Sequence, residues 1–307
     1  MGKYGNTPIK KVKLADGLQV YAKLESYNPT GSMKDRPANY VLDKICKEQL
    51  LNYNGIIESS SGNMGIALAK YAKEKGIDFY CVIDPKIQKE NLAILSKFNS
   101  YVILATQKDQ YGGYLISRLK LVKKIMQEKN LLWFNQYNNI DVIYSYISLA
   151  NEIYEEVKRI DYIFIATSSC GCIAGVSNRL KELDSQIQVI AVDIDGSIIF
   201  NNKPQNRNIP GIGASIIPPN KDKAIIDDVI HVSDKKTLHE CLNFADKYFK
   251  IGGSSGAILA GIKKYYQNHC QMNNKNIVAI FPDDGNRYNS TIYNDKWRWN
   301  ILKEEIK

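Results

Sequence analysis

The 307-residue chain holds three histidines, three tryptophans and six cysteines, and each scarcity removes a class of chemistry. His231, His239 and His269 lie outside every glycine- or hydroxyl-rich cluster, so a Ser-His-Asp triad has little support. Cys46, Cys81, Cys170, Cys172, Cys241 and Cys270 are scattered, as free thiols in a reducing compartment are. Cys170 and Cys172 have a single residue between them and no second pair nearby, a spacing that argues against zinc, and no metal is expected. No apolar run is long enough to span a bilayer. Residues Met1 to Pro8 have no apolar stretch of the kind a secretory signal needs, and Asn6 stands where a myristoylation site wants a hydroxyl. A cytoplasmic protein without a membrane partner is therefore expected. There is no internal repeat and no low-complexity tract.

What is present is a large apolar fraction and an excess of positive charge. At 44% hydrophobic residues the chain can bury a sizeable core, as two lobes or one large α/β unit. The formal charge is +9, but bases and acids interleave, as in Lys44 to Glu48 and Asn151 to Lys158. No aromatic-plus-arginine face recurs, so no nucleic-acid partner is expected, and the field suits anionic substrates instead. Short β-branched runs alternate with amphipathic stretches. Strands are predicted at Val20–Glu25, Gly55–Ser60, Phe79–Asp84, Tyr101–Ala105, Leu132–Gln136, Tyr162–Thr167, Val189–Asp193, Val229–Val232 and Asn276–Phe281. Helices are predicted from Pro37 onward and at Gly62–Lys75, Lys89–Phe98, Gly113–Gln127, Asp141–Lys158, Gly171–Leu183, Lys235–Phe249 and Ser255–Asn268. That alternation means parallel strands with helical crossovers. The stretch Asn201–Lys223, with four prolines, reads as a long surface loop with a covering or substrate-lining role.

The organising stretch is Asn28-Pro29-Thr30-Gly31-Ser32-Met33-Lys34-Asp35-Arg36, between a strand and a helix. A lysine at such a junction is either an ordinary turn residue or, at the mouth of an α/β sheet, a desolvated nucleophile. Three hydroxyl-and-glycine clusters open helices: Ser59-Ser60-Ser61-Gly62-Asn63-Met64-Gly65, Thr167-Ser168-Ser169-Cys170-Gly171-Cys172 and Gly252-Gly253-Ser254-Ser255-Gly256-Ala257. Each is either a helix cap or an anion cradle. The second lacks the spaced lysine of a Walker loop, which disfavours a nucleoside triphosphate. One reactive lysine plus a phosphate cradle and no helpful histidine leaves Schiff-base chemistry, for which pyridoxal phosphate (PLP) is the matching cofactor.

These segments, with Gly5-Asn6-Thr7-Pro8, Gly211-Ile212-Gly213-Ala214 and Pro282-Asp283-Asp284-Gly285-Asn286-Arg287-Tyr288, resemble the fold-type II PLP enzymes. That group includes the cysteine synthases, the cystathionine β-synthases and the tryptophan synthase β chain. The resemblance implies two doubly wound, three-layer α/β lobes of tryptophan synthase β type: residues 35–142 as a smaller substrate-side lobe, residues 1–34 plus 143–307 as a larger PLP-binding lobe. It makes Lys34 the lysine that holds the cofactor and moves the α-proton. Asn63 would bond the cofactor's 3′-oxygen and Ser254 its ring nitrogen, while Ser168, Ser169, Cys170, Gly171 and Cys172 surround its phosphate. Ser60, Ser61 and Gln136 fall where the family binds the substrate α-carboxylate. Relatives are commonly homodimers.

Departures from the sulfhydrylase pattern lie at Met64 and across the phosphate loop Ser168 to Cys172. The better resemblance is to N-(2-amino-2-carboxyethyl)-L-glutamate synthases, which supply 2,3-diaminopropionate for siderophores such as staphyloferrin B. It is carried by Met33, Asp84-Pro85-Lys86-Ile87, Gly112-Gly113-Tyr114-Leu115, Asn135-Gln136-Tyr137, Gly196-Ser197-Ile198-Ile199-Phe200 and Pro210 to Ser215. It implies β-replacement on O-phospho-L-serine through an α-aminoacrylate, with L-glutamate as nucleophile. Arg118 becomes an anion contact, with Tyr137 and Ser168 lining the pocket. The alternatives are a sulfur-directed relative, either cysteine synthase or sulfide-releasing cysteine lyase, and a PLP-binding protein that has lost turnover.

Overall fold

Strand β1 (Ile9–Lys13) pairs antiparallel with β2 (Gln19–Leu24), Val12 opposite Val20, so its lysines stand outward while its valine is buried. In a computed structural model, which describes residues 4–14, 17–48, 52–110, 112–201, 203–269, 272 and 274–304, β2 leads through a short turn to α1 (Asp35–Glu48). The thiol expected at Cys270 and the segment Met1 to Lys3 lie outside the described residues. Four strands follow, β3 (Ile56–Ser59), β4 (Phe79–Ile83), β5 (Tyr101–Leu104) and β6 (Leu132–Trp133), alternating with α2 (Asn63–Glu74), α3 (Lys89–Lys97) and α4 (Leu115–Lys129). They form a wholly parallel sheet in the order β5-β4-β3-β6.

After α5 (Ile140–Tyr144) and α6 (Ile147–Val157), the chain builds β7 (Tyr162–Ala166), α7 (Gly171–Leu183), β8 (Gln188–Ile194) and β9 (Asp228–Val232). Then come α8 (Asp234–Lys247), α9 (Gly253–Asn268), β10 (Ile277–Phe281) and α10 (Asp295–Glu304). The second sheet runs β1-β2-β10-β7-β8-β9, parallel except at its β1 edge. The last strand thus inserts at the centre, and all five of its residues are buried, the continuous apolar run that a sheet covered on both faces demands.

Alternation along the strands divides the core. Ile163, Ile165, Val278 and Ile280 face a layer built from α1, α2, α6 and α7, whereas Phe164, Ala279 and Phe281 face α8, α9 and α10. In the smaller sheet Ile56 and Cys81 join the first of these layers, while Ile57 and Val82 meet Val122 and Ile125 of α4. Both sheets are therefore three-layered, with helices on both faces, as expected. They share one apolar layer.

The structure departs from the sequence reading in local ways. The helix expected over Asp141–Lys158 is two helices, parted at Ser145 and Tyr146, and the strand at Leu132 is only two residues long. The stretch Asn201–Lys223 is no plain surface loop: Ile209, Ile212, Ala214 and Asn220 are buried. Asn220 donates to the carbonyls of Gln136 at 3.0 Å and Ser169 at 3.3 Å, satisfying polar groups that burial would otherwise strand. The β1 edge strand and α10 were not anticipated.

Candidate active site

Ligands in open parallel sheets bind beyond the carboxyl ends of the strands, and here both sheets point those ends at one cavity of about 400 Å³. Lys34 follows β2, Ser60 and Ser61 follow β3, Gln136 and Tyr137 follow β6, the Ser168 loop follows β7, and Asp283 follows β10. Asn63, Arg118, Cys170, Cys172, Ser169 and Ser254 line the same space, so all but one of the residues singled out from the sequence meet there. Gly171 is the exception. It backs the cradle, where an added Cβ would lie 2.6 Å from Val142 Cγ1. None of the three histidines lines the cavity, and the ring Nε2 of His231 is buried without a hydrogen-bond partner among the described residues.

The lysine is fixed by its backbone. Ser32 forms an isolated bridge with Asp283, and the Met33 amide donates to the Pro282 carbonyl at 2.8 Å, which fastens the segment to the end of β10. Asp35 takes the Thr30 hydroxyl at 2.6 Å, closing the turn ahead of α1. Behind it Arg36, wholly buried, binds Glu25 and Glu152, and Lys23 joins Glu152 at 2.7 Å. Thr7 seals this cluster: its hydroxyl donates to Glu25 at 2.6 Å and its carbonyl accepts from Lys23 at 2.6 Å, a physical reason for the Gly5-Asn6-Thr7-Pro8 segment. Desolvation lowers the Lys34 amine from the ordinary lysine range, with Asp283 pulling the other way. An amine so placed is a nucleophile and a proton acceptor.

Opposite stands the amino end of α7. No side chain caps it, and Cys170 takes up a left-handed conformation just before it. A helix start without a cap leaves its first amides for a bound anion. The Ser168 hydroxyl donates to the Gly213 carbonyl at 3.2 Å, so the Gly211 to Ala214 segment braces the loop. Burial pushes the Cys170 and Cys172 thiols up to about 12, which leaves them neutral rather than nucleophilic.

Asn63 begins α2. Its Nδ2 donates to Asp283 Oδ2 at 2.6 Å, its Oδ1 accepts from Arg287, and Tyr288 donates to the same carboxylate oxygen. Burial raises the Asp283 carboxyl from the ordinary range, and its Oδ1 has no partner among the described residues. Ser254, in the first turn of α9, lies nearby with its side chain buried.

On the small-sheet side, Ser60 Oγ accepts the Gly65 amide at 2.9 Å, and Gln136 Nε2 donates to the Ser59 carbonyl at 3.2 Å. Glu58 lies beneath them, fully buried, accepting the amides of Ser59 at 2.7 Å and Gln136 at 3.0 Å. Burial outweighs those bonds and pushes its carboxyl up to about 7. Arg118 projects from α4 to Ser61 Oγ at 3.0 Å and Asp84 at 3.3 Å, with only 13% of its side chain exposed and Nε without a partner among the described residues. It is not a solvated helix arginine. Burial pushes the Tyr137 phenol up to about 12.

The sequence reading assigned no role to Asp283, Arg287, Tyr288, Glu58 or Arg207, all at or beneath this cavity. The first three stood in a segment already notable for its resemblance; Glu58 and Arg207 carried no local signal.

The donor set fits pyridoxal phosphate: a desolvated amine, an uncapped helix start for a phosphate, and the Asn63 amide and Ser254 hydroxyl lining the same cavity. The chain belongs to the pyridoxal-phosphate dependent enzyme family, whose model matches residues 1–283. Within that family its structural neighbours are β-replacing enzymes of the cysteine synthase kind. It is similar to the O-acetylserine-dependent cystathionine β-synthase of Helicobacter pylori, with TM-score 0.85 and 30% identity over 94% of this chain and 96% of that one. A cysteine synthase from Entamoeba histolytica aligns with TM-score 0.84 and 28% identity, covering 96% and 91% of the two chains. A hydrogen sulfide-producing enzyme from Fusobacterium nucleatum aligns with TM-score 0.84 and 26% identity, covering 92% and 97%.

Proposed function

We propose that the protein catalyses β-replacement on O-phospho-L-serine with L-glutamate as the incoming amine, giving N-(2-amino-2-carboxyethyl)-L-glutamate and phosphate for 2,3-diaminopropionate supply. The carrying observation is Arg118, a nearly buried guanidinium facing the cavity with an Nε that has no partner among the described residues. A cation there suits a dianionic leaving group and has little to offer a neutral acetyl ester. When bound, PLP supplies the electron sink for losing the α-proton and the β-substituent. Lys34 is the cofactor's attachment point and the group that takes and returns the α-proton. The α7 amino end with Ser168 to Cys172 holds the phosphate of the cofactor. Asn63, fixed by Asp283 and Arg287, would bond the cofactor's 3′-oxygen, and Ser254 would give the ring nitrogen a neutral partner. Ser60, Ser61 and Gln136 receive the substrate α-carboxylate. The small-sheet residues 35–142 form the substrate-side lobe, residues 1–34 and 143–307 the cofactor lobe, and the enzyme works as a homodimer.

A sulfur-directed enzyme, one that takes up sulfide as a cysteine synthase or releases it from cysteine as a lyase, is the second reading, favoured by the cystathionine β-synthase, cysteine synthase and sulfide-producing neighbours. The same architecture also carries an O-ureido-L-serine synthase at 25% identity, so the fold leaves the acceptor open. The deciding experiment gives the purified holoenzyme O-phospho-L-serine with glutamate or sulfide. Glutamate-dependent phosphate release and an amine adduct support the proposal. Turnover with sulfide and none with glutamate overturns it.

A further inference from the structure

Arg207 lies in the irregular stretch between β8 and β9, yet its side chain lines the cavity and is mostly buried. Among the described residues its one hydrogen bond runs from Nη2 to Ser215 Oγ at 2.7 Å, and no carboxylate lies within ion-pairing distance of it. The carboxylates whose fields reach it each accept a bond elsewhere, although Asp193 Oδ2 and Asp234 Oδ1 are buried without a partner among the described residues. Asp234 accepts the Asn208 amide at 2.9 Å, Asp193 the Ile194 amide at 2.9 Å, and Asp109 the Gly113 amide at 3.0 Å. A guanidinium taken out of water with one neutral partner is an expensive arrangement unless a ligand completes it.

Its position is specific. An added Cβ on Gly213 would lie 2.6 Å from Arg207 Nη1, so the guanidinium rests against that glycine, beside the carbonyl that Ser168 bonds. Gly213 has φ of +73°, and no other residue suits both the conformation and the contact. Arg118 is tied to Asp84 and Ser61 on the small-sheet side, whereas Arg207 comes from the large-sheet side. The fields of both reach the Tyr137 phenol. Lys34, Lys86 and Arg287 also line the cavity, but of the two arginines that act on Tyr137 only Arg118 has an ion-pair partner among the described residues.

We propose that Arg207, with Ser215 and Tyr137, forms a second anion subsite that receives the side-chain carboxylate of a dicarboxylic amino acid serving as acceptor. The inference deepens the reading above and rests on it for the identity of the reaction. A planar guanidinium with donors to spare binds a carboxylate in two-pronged fashion, and a chain of two methylenes gives that carboxylate reach while the amine stays free to attack.

The test uses the holoenzyme, its Arg207→Gln and Arg207→Lys variants, and glutarate, a dicarboxylate with no amine to react. Calorimetry is expected to show glutarate affinity falling roughly tenfold or more in Arg207→Gln, with partial retention in Arg207→Lys, which keeps the charge and loses the fork. In turnover the KM for glutamate rises by more than the KM for O-phospho-L-serine. Equal glutarate affinity in wild type and Arg207→Gln overturns the subsite, whatever reaction the enzyme performs. Arg207-dependent glutarate binding in an enzyme that uses no dicarboxylic amine sustains the subsite and removes the glutamate reading instead.

Discussion

The side-chain amide of Asn63 donates to Asp283 Oδ2 at 2.6 Å, joining residues 220 positions apart in sequence. One belongs to the first turn of a small-sheet helix, the other to the end of the central strand of the large sheet. The bond therefore ties the two sheets together at the cavity, where Arg287 bonds Asn63 and Tyr288 bonds Asp283.

Gly252 guards that arrangement, since an added Cβ would sit 1.8 Å from Asp283 Oδ1. Gly252→Ala is expected to push the carboxylate aside and release Asn63. The variant should fold but bind PLP roughly tenfold or more weakly, a loss comparable to one charged hydrogen bond. Absorbance titration of the apoprotein with PLP checks this; unchanged affinity removes the positioning role of Asp283.

Lys34→Met should abolish borohydride-stable attachment of PLP, read by intact mass. Its apoprotein should be at least as stable as wild type, because a desolvated amine is replaced by an apolar chain of similar length. A midpoint clearly lower in urea would mean that Lys34 has a structural partner as well.

Much of this was legible in the chain. Lys34, Asn63 and the Ser168 loop could be found because each sits at a strand-to-helix junction, where glycine and hydroxyl residues leave a local signature. Arg207 and Glu58 could not. Their importance comes from burial and from what faces them across the fold, and neither quantity exists in a window of sequence. The split of the helix at Ser145 escaped for a related reason: the apolar period continues through the break, while the Ser145 hydroxyl donates to the Val142 carbonyl at 2.7 Å. Strand β1 was missed because three lysines in five residues hide its single buried side chain, Val12.

Glu58 gives stability a pH dependence. Its folded carboxyl titrates at about 7 against an ordinary 4.5, so the folded state holds its proton more tightly than the unfolded chain does. Its contribution is complete below the ordinary value and is lost as pH rises through about 7. Glu58→Gln, which keeps the shape and removes the titration, should flatten the decline between those pH values. Urea unfolding of both proteins across that range checks it; parallel curves would reject the assignment.

Arg118→Gln should raise the KM for O-phospho-L-serine by roughly tenfold or more, and that for O-acetyl-L-serine by less, since only the phosphate carries the charge that the guanidinium meets. Steady-state kinetics with both donors decides. An equal effect on the two would move Arg118 from leaving-group recognition to general anchoring of its helix.

Arg36→Met strands Glu25 and Glu152. Burial pushes Glu152 up, but its bonds to Arg36 and Lys23 outweigh that and hold it at about 2. Removing one member of a buried ionic cluster costs about 3–5 kcal/mol. Chemical denaturation should show a loss of that order, and a loss below about 1 kcal/mol would mean that water or Lys23 rescues the acids.

The cluster of Lys23, Glu25, Arg36 and Glu152 contains two positive and two negative groups packed against one another. Opposed charges at such short range cancel at a distance, and none of the four figures among the causes that shift the Lys34 amine, although Arg36 is only two residues away. The reactive nitrogen thus owes its lowered proton affinity chiefly to burial in the cavity wall rather than to a neighbouring charge. A solvent path opened anywhere along that wall would restore its basicity more effectively than altering any charged neighbour.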